Sequence, residues 1–515
     1  MASIRQQALT DARVGKLRAL ISESFRVRYN HDPLYVDVGS HLARVRSRQH
    51  QIIFGRRGSG KSCLLVHFMK QAQKAGDIRT IYILADEYKR LTYPDVLIRL
   101  LIAILEAIPV RGRWAKRVLR MPIPSEHHIR ELRSLLDAAE EADVVNRDSR
   151  ERSESAKVNI SASPAAKAEA QTGSKRTTDT TQSFRAKKLD VLERHLRDYK
   201  SALSSGVGAV DEFTCVVVDD FYLLAPESQP DVLDYLHRLL RDTPLYLKVA
   251  TVRHRTTLVR NQPQTVGVEL SQDVEAIDLD RTLEDLRSTQ AFLTEMIDSL
   301  GKRVGYDHLS SELFNPEALE ALTLASGGVP RDFLTILTHA IEVGIATGNT
   351  RWLTPTLINK GASQLAWHTK RGGMREDASG DTAGLERLLT DLLGFCLKEE
   401  RKTAFLIAKD DAQKLPDTFE RIQQLMDFKL IHIVEPDTSA ASGRGGRFAA
   451  YTLDFSFFME PRRRNIEIIE FWKVDDQRRR RGIREAPVYP LARAQEAYAN
   501  TSLPQDPSGL LEEIE

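Results

Sequence analysis

At 515 residues the chain is too long for one hydrophobic core and suggests about three domains. Its formal net charge of +2 excludes a molecule that binds nucleic acid through its overall field, so any such role falls to local basic patches. A content of 42 % hydrophobic and 28 % charged residues is that of a soluble globular protein, and no apolar run approaches the roughly 18 to 20 residues that a membrane span needs.

The polar stretch Met1 to Arg18 lacks a signal-peptide core, which predicts a cytoplasmic protein. Cys63, Cys215 and Cys396 are scattered outside any Cys/His ligand spacing, predicting neither a disulfide framework nor a zinc site. An N-terminal helical segment is expected over 1–45. Gln51 to Phe54 is a short apolar strand, and Ser62 to Lys74 places Leu64, Leu65, Phe68 and Met69 at helical spacing. A strand at Arg79 to Ala85 and a helix at Pro94 to Ile108 continue a β–α alternation, the signature of a parallel sheet between helices.

From about Val145 to Ser183 large apolar residues almost vanish, so a disordered insertion is expected at 145–183. The helix Phe184 to Leu203 leads into Phe213 to Val218, an unbroken apolar run of the kind found in a fully buried strand. A helix at Gln229 to Arg241 and strands at Leu245 to Val252 and Ala276 to Leu279 complete about five strands. These close a nucleotide-binding core over 46–282. Leu283 to Leu300 and Asn315 to Thr347 are helical by period, broken at Ser326-Gly327-Gly328-Val329-Pro330, and form a lid over 283–371. After a loop at Gly372 to Asp381, Leu385 to Asp454 reads as three helices, a strand, a loop and a strand. The fold class is therefore α/β, with a parallel sheet of about five strands, a helical lid and a smaller C-terminal domain.

Gly55-Arg56-Arg57-Gly58-Ser59-Gly60-Lys61-Ser62 lies between a strand and a helix and fits the Walker A spacing. Gly55, Gly58 and Gly60 are read as positive-φ positions that turn backbone N–H groups toward a β-phosphate. Lys61 then reaches the β/γ-phosphates, Ser62 offers a hydroxyl to Mg²⁺, and the helix N-terminus adds to the anion site. The cofactor set is ATP with Mg²⁺. Cys215-Val216-Val217-Val218-Asp219-Asp220 fits Walker B, with Asp219 a metal ligand and Asp220 the general base; a plain strand cap is the alternative. Thr251 and Arg253 end a strand where a sensor of the γ-phosphate could stand, although Arg253, His254, Arg255 and Arg260 also read as a solvated basic loop. Arg331, in Gly328-Val329-Pro330-Arg331, opens a lid helix and could act as an arginine finger; the alternative is a surface pair with Asp332.

With these motifs in order, the first 350 or so residues resemble the AAA+ superfamily, nearest its origin-recognition/initiator clade and the related STAND ATPases. The resemblance implies a helical lid, a C-terminal winged-helix domain, a nucleotide contact from Pro330 as well as from Gly55 to Cys63, and a homo-oligomer in which a neighbour lends an arginine. Initiator-type members carry no long insertion before Walker B, and STAND proteins usually add repeat sensors that this chain lacks.

The winged-helix candidate spans 384–460. Its recognition helix would be Thr418 to Lys429, its hairpin Leu430 to Glu435 with Phe448 to Asp454, and its wing carries Arg444 and Arg447. Glu420 and Asp427 suit a duplex poorly, so a plain interaction module is the alternative. The tail over 461–515 begins with nine cations against four anions between Pro461 and Arg484, among them Arg478, and ends acidic. Duplex DNA through Arg444, Arg447 and Arg478 is the leading partner. A STAND-type signalling or anti-phage defence ATPase acting through an unidentified protein partner is the competing reading, and a transposition-type helper forming filaments on DNA the third.

Overall fold

The computed structural model describes residues 8–25, 33, 35–37, 39–108, 126–137, 185–207, 213–261, 263–348, 351–377, 382–441, 445–459, 465–473 and 482–502. The expected insertion at 145–183, Arg444, Arg478 and the acidic end lie outside these residues. The chain divides into two compact units, one of His41–Phe54 with Phe68–Ile277, the other of Met1–Ser40, Gly55–His67 and Asp278–Glu515. The glycine loop falls in the same unit as the lid and the C-terminal segments.

The first unit is built on a five-stranded sheet of β1 (Gln51–Phe54), β2 (Ile78–Leu84), β3 (Phe213–Asp219), β4 (Leu245–Thr251) and β7 (Glu275–Asp278), in the order β2-β3-β4-β1-β7. A two-stranded ribbon, β5 (Val259–Arg260) with β6 (Val266–Gly267), lies outside that sheet. β2, β3, β4 and β1 pair in parallel, with Phe54 opposite Thr251 and Val218 opposite Val249. Every residue of β3 is buried, as its apolar run requires when helices cover both faces. Val216 and Val218 of β3 join Leu247 and Val249 of β4 in one core with Leu97, Leu101 and Leu236 of the flanking helices Asp95–Ala107 and Gln229–Leu240.

A cation stands in the middle of that sheet. Lys248 is fully buried, and its ammonium donates to the Ser47 and Gln49 carbonyls, each at 2.8 Å, and to Gln51 Oε1 at 2.7 Å. Burial pulls its pKa down to about 8. Three acceptors match the three donors of an ammonium, which is why a charge is tolerated there.

In the second unit the helices Leu286–Arg303, Pro316–Ala325, Pro330–Ala346 and Pro355–Asp377 bury Leu293, Leu322, Leu337 and Ile358 together, and Leu17 and Ile21 of the helix Ala12–Ser24 share that core. Asn315 caps the second of these helices by accepting from the Glu317 N–H at 2.7 Å, and Pro316 follows at its first position. The break before Pro330 is made by Gly327 and Gly328, with φ of 57° and 79°. The last helix continues to Asp377, past the expected end of the lid at 371 and through the Gly372-Gly373 pair expected as loop, because Met374 is buried in the core.

The C-terminal segment runs helix Thr382–Leu393, β8 (Ala404–Ala408), helices Lys409–Lys414 and Pro416–Asp427, then β9 (Ile431–Thr438) and β10 (Phe448–Leu453), with the antiparallel order β8-β10-β9. β8 is an addition to the expected order, inserted between the first and second of the three helices. The candidate recognition helix ends at Asp427, and Lys429 beyond it has a φ of 62°.

Candidate functional site

The loop after β1 combines two uses of glycine. Gly58 and Gly60 have φ of 92° and 103°, the conformation expected of them. Gly55 does not; it is glycine for lack of room, since a Cβ there would collide with the Ser59 side chain. The Lys61 ammonium, almost fully buried, donates to the carbonyls of Gly55 at 2.7 Å and Arg56 at 3.2 Å, so it is drawn inside the loop. Lys61, Ser62 and Cys63 form the first turn of the helix Lys61–Ala75, which closes when the Leu64 N–H bonds the Gly60 carbonyl at 2.9 Å. A helix N-terminus facing a loop of positive-φ glycines is an anion site by construction.

The two arginines of the loop part ways. Arg57 is exposed. Arg56 is 5 % exposed: its N–H donates to Asp280 Oδ1 at 2.7 Å, and its guanidinium reaches the carbonyls of Arg281 at 2.6 Å and Gly327 at 3.3 Å. Its side chain anchors the loop to the lid segment instead of pointing to a phosphate. Gly58 meets that segment too, because the Arg331 N–H donates to its carbonyl at 3.3 Å. Pro330 is the first residue of the helix that Arg331 belongs to. Asp332 does not pair with Arg331: it accepts from the Lys429 ammonium at 2.9 Å, and Arg331 is exposed. Among the described residues, the Arg331 guanidinium has no hydrogen-bonding or ionic partner.

Behind this contact lies a buried polar chain that sequence reasoning missed. A Cβ on Gly327 would fall on the His432 ring, so the lid turn rests directly on β9. His432 Nε2 donates to Asp454 at 2.8 Å, and Asp454 also accepts from the Lys370 ammonium and the Ser456 hydroxyl. Burial opposes ionisation of Asp454, but Lys370 and His432 beside it hold its carboxyl well below the ordinary range. His432 is lowered by burial, against the pull of Asp454. No local pattern announces this set, because residues 327, 370, 432 and 454 come from four separate elements.

In the sheet unit, Asp219 ends β3 and is 1 % exposed. It accepts from the Tyr82 hydroxyl at 2.9 Å and from the Asp220 N–H, also at 2.9 Å. Both are neutral donors, and among the described residues no cationic side chain pairs with this buried carboxyl. A hard divalent cation such as Mg²⁺ would relieve that imbalance, since a carboxylate is a hard oxygen ligand. Asp220, the residue after the strand, has φ 53° and ψ 36°, a left-handed conformation that ends the extended run. Burial and the nearby Asp219 raise the Tyr82 phenol, keeping it a donor.

Thr251 ends β4, the strand between β1 and β3, and its buried hydroxyl lies 2.5 Å from that of Thr256. The Arg253 guanidinium stacks 4.0 Å from the centroid of the Phe54 ring, the last residue of β1. Arg260 is held by Asp231 at 2.8 and 3.0 Å. In the C-terminal segment, Arg447 pairs with Asp437, as does Lys409, while Arg421 of the candidate recognition helix lies 3.6 Å over the Tyr498 ring.

No protein-family model matches the chain, and no curated protein matches it. Among solved structures, the Aeropyrum pernix ORC1 protein in complex with DNA is 14 % identical, with 86 % of this chain and 89 % of that chain covered and a TM-score of 0.33. Cdc6p from Pyrobaculum aerophilum is 12 % identical, over 96 % of this chain and 99 % of that chain, with a TM-score of 0.35. A Walker-type ATPase of Pyrococcus abyssi is 13 % identical, over 84 % and 97 %, with a TM-score of 0.39. The fold itself, a five-stranded sheet whose β1 runs through a glycine loop into a helix, with helices following, is the α/β P-loop architecture that the AAA+ resemblance implies.

Proposed function

We propose that this chain is an AAA+ switch that binds ATP with Mg²⁺, hydrolyses it, and couples nucleotide state to assembly on duplex DNA. The observation that carries the reading is the backbone contact of Arg331 with Gly58, which ties the first turn of a lid helix to the phosphate loop. A nucleotide entering the loop would be felt by that helix at once. Lys61 would exchange its two carbonyl partners for phosphate oxygens, while the amides from Gly58 to Cys63 hold the β-phosphate. Ser62 and Asp219 would hold Mg²⁺, which neutralises charge on the phosphates. Asp220 would take the proton of the attacking water, and Arg331 would stabilise charge on the departing phosphates, with Arg253 and Thr251 as sensors.

The DNA part rests on the C-terminal segment. Its order of helix, strand, two helices and two strands agrees with a winged helix, and Arg447 stands at the start of β10 in the wing. Its ion pair with Asp437 is exposed and would exchange readily for a phosphate.

The test compares the native chain with Lys61→Ala and Asp220→Asn for ATP turnover, oligomeric state and retention of duplex DNA. The expected result is ATP-dependent retention that falls as salt rises and is lost in Lys61→Ala. Retention indifferent to nucleotide, or none at low salt, would sink the DNA reading and leave a STAND-type, protein-directed ATPase; no turnover in the native chain would sink the enzyme.

A further inference from the structure

The helix over 126–137 carries His127, His128 and Glu131 with one ligand atom of each within 4.8 Å of the others. His195, the cap residue before the helix Leu196–Gly206, brings Nε2 to 3.6 Å from Glu131 Oε1. On the other side, His128 Nδ1 lies 3.9 Å from Glu131 Oε2, too far for a hydrogen bond. We propose that His127, His128 and Glu131, with His195 as the fourth ligand, form a structural zinc site that staples helix 126–137 to helix 196–206.

Three observations support a metal over an ordinary ion pair. First, His128 Nδ1 and the hydroxyl of Tyr199 are buried without a hydrogen-bond partner, and the two rings meet edge to face with centroids 5.0 Å apart. Two orphaned polar atoms at one spot are costly unless something satisfies them, and coordination of His128 would remove one. Second, one ligand atom each of His127, His128 and Glu131 lie within 4.8 Å of one another, and His195 Nε2 stands 3.6 Å from Glu131 Oε1, against roughly 3.3 Å between neighbouring ligands of a tetrahedral zinc with bonds of about 2.0–2.1 Å. Third, His195 is oriented from behind: its Nδ1 lies 2.9 Å from Asp198 Oδ2. A histidine with one ring nitrogen on a carboxylate and the other turned to a second ligand is the outer-shell arrangement of metal sites.

The chemistry points to zinc. Imidazoles with one carboxylate are borderline ligands that suit Zn²⁺ better than Mg²⁺ or Ca²⁺, and four protein ligands close the coordination shell, as in structural sites. Scattered cysteines gave no hint of it; the signal in the sequence was His127-His128 three residues before Glu131, completed only by a histidine 64 positions from Glu131. The unfolded chain holds these ligands apart, so zinc binds the folded state alone and its binding free energy adds to folding.

The experiment uses the full chain without a histidine tag, purified with and without EDTA. Elemental analysis should give one zinc per chain, added Zn²⁺ should raise the melting temperature of the EDTA-treated protein by several degrees, and Co²⁺ in its place should give the intense visible bands of a tetrahedral site. His128→Ala and His195→Gln should abolish the zinc, and Asp198→Asn should weaken its binding about 10–100-fold. Native chain that carries no zinc and does not respond to Zn²⁺ or Co²⁺ overturns the proposal, as does stoichiometric zinc that survives both histidine substitutions. The Co²⁺ spectrum is read on native protein, so misfolding of a variant cannot decide the outcome.

Discussion

Gly58 and Arg331 meet backbone to backbone: the Arg331 N–H donates to the Gly58 carbonyl at 3.3 Å, and a Cβ on residue 58 would lie 2.7 Å from the Arg331 Cβ. The phosphate loop and the lid helix therefore share a contact that admits no side chain. Gly58→Ala must both leave its φ of 92° and push Arg331 away. Left-handed strain alone costs about 1–3 kcal/mol, so ATP affinity should fall at least about tenfold, read by calorimetry. Affinity unchanged from the native chain would show that the lid contact does not shape the loop.

Asp220 offers a cleaner test of chemistry than Asp219. Its left-handed backbone is one that Asn tolerates, whereas Ala does so poorly. Asp220→Asn should keep the native melting temperature and ATP affinity and lower the hydrolysis rate by about 10²–10⁴-fold. Asp220→Ala should lose the rate and also some stability. An unaltered turnover in Asp220→Asn would remove the residue from the mechanism.

The ion pair of Lys429 with Asp332 is largely buried on both sides, at 11 % and 15 % side-chain exposure. Burial lowers the Lys429 ammonium, and Asp332 pulls it back. Lys429→Met would strand a buried carboxylate and should cost about 3–5 kcal/mol. The double variant Lys429→Met with Asp332→Leu should recover most of that loss in denaturant melts. A fully additive double variant would mean that the two residues do not interact.

Stability should fall in mild acid, and His50 is one cause. Its Nδ1 accepts the Leu247 N–H at 3.1 Å, which demands an unprotonated nitrogen, and burial lowers its pKa to about 4. The ordinary value is about 6.5, so between those limits the unfolded chain binds a proton that the folded chain refuses. Folding stability therefore declines as pH drops through 6.5 and stops declining on this account near 4, by at most about 3 kcal/mol. His50→Gln should flatten the melting temperature between pH 7 and 4.5. An equally steep profile would assign the acid sensitivity elsewhere.

What could be read from sequence was what covalent spacing encodes. Gly58, Gly60, Lys61 and Ser62 are locked into one turn, and the β-branched valines before Asp219 favour a strand. β8 is not legible in the pattern because Ala404 to Ala408 is a five-residue apolar run, and periodicity cannot separate a buried strand from a buried helical turn. The Gly372-Gly373 pair reads as loop, but helix propensity is a weak prior that packing around Met374 overrides. Asp332 with Lys429, and Asp454 with Lys370 and His432, are separated by 97, 84 and 22 positions. Pairing at such range is a property of the folded chain alone. Arg56 shows the same limit: its place in the motif suggested phosphate, but a buried guanidinium follows its nearest carbonyls.

Gly327 is gripped twice, its carbonyl by Arg56 of the phosphate loop and its bare Cα by the His432 ring, while His432 is fastened through Asp454 to Lys370. The C-terminal segment is thus not an interchangeable module. A chimaera that grafts residues 384–460 onto another ATPase core would import His432 and Asp454 without the glycine and lysine cut to fit them. Shuffling of such domains would have to carry positions 327 and 370 along, so the boundary that recombination can respect lies well upstream of the one that the helices suggest.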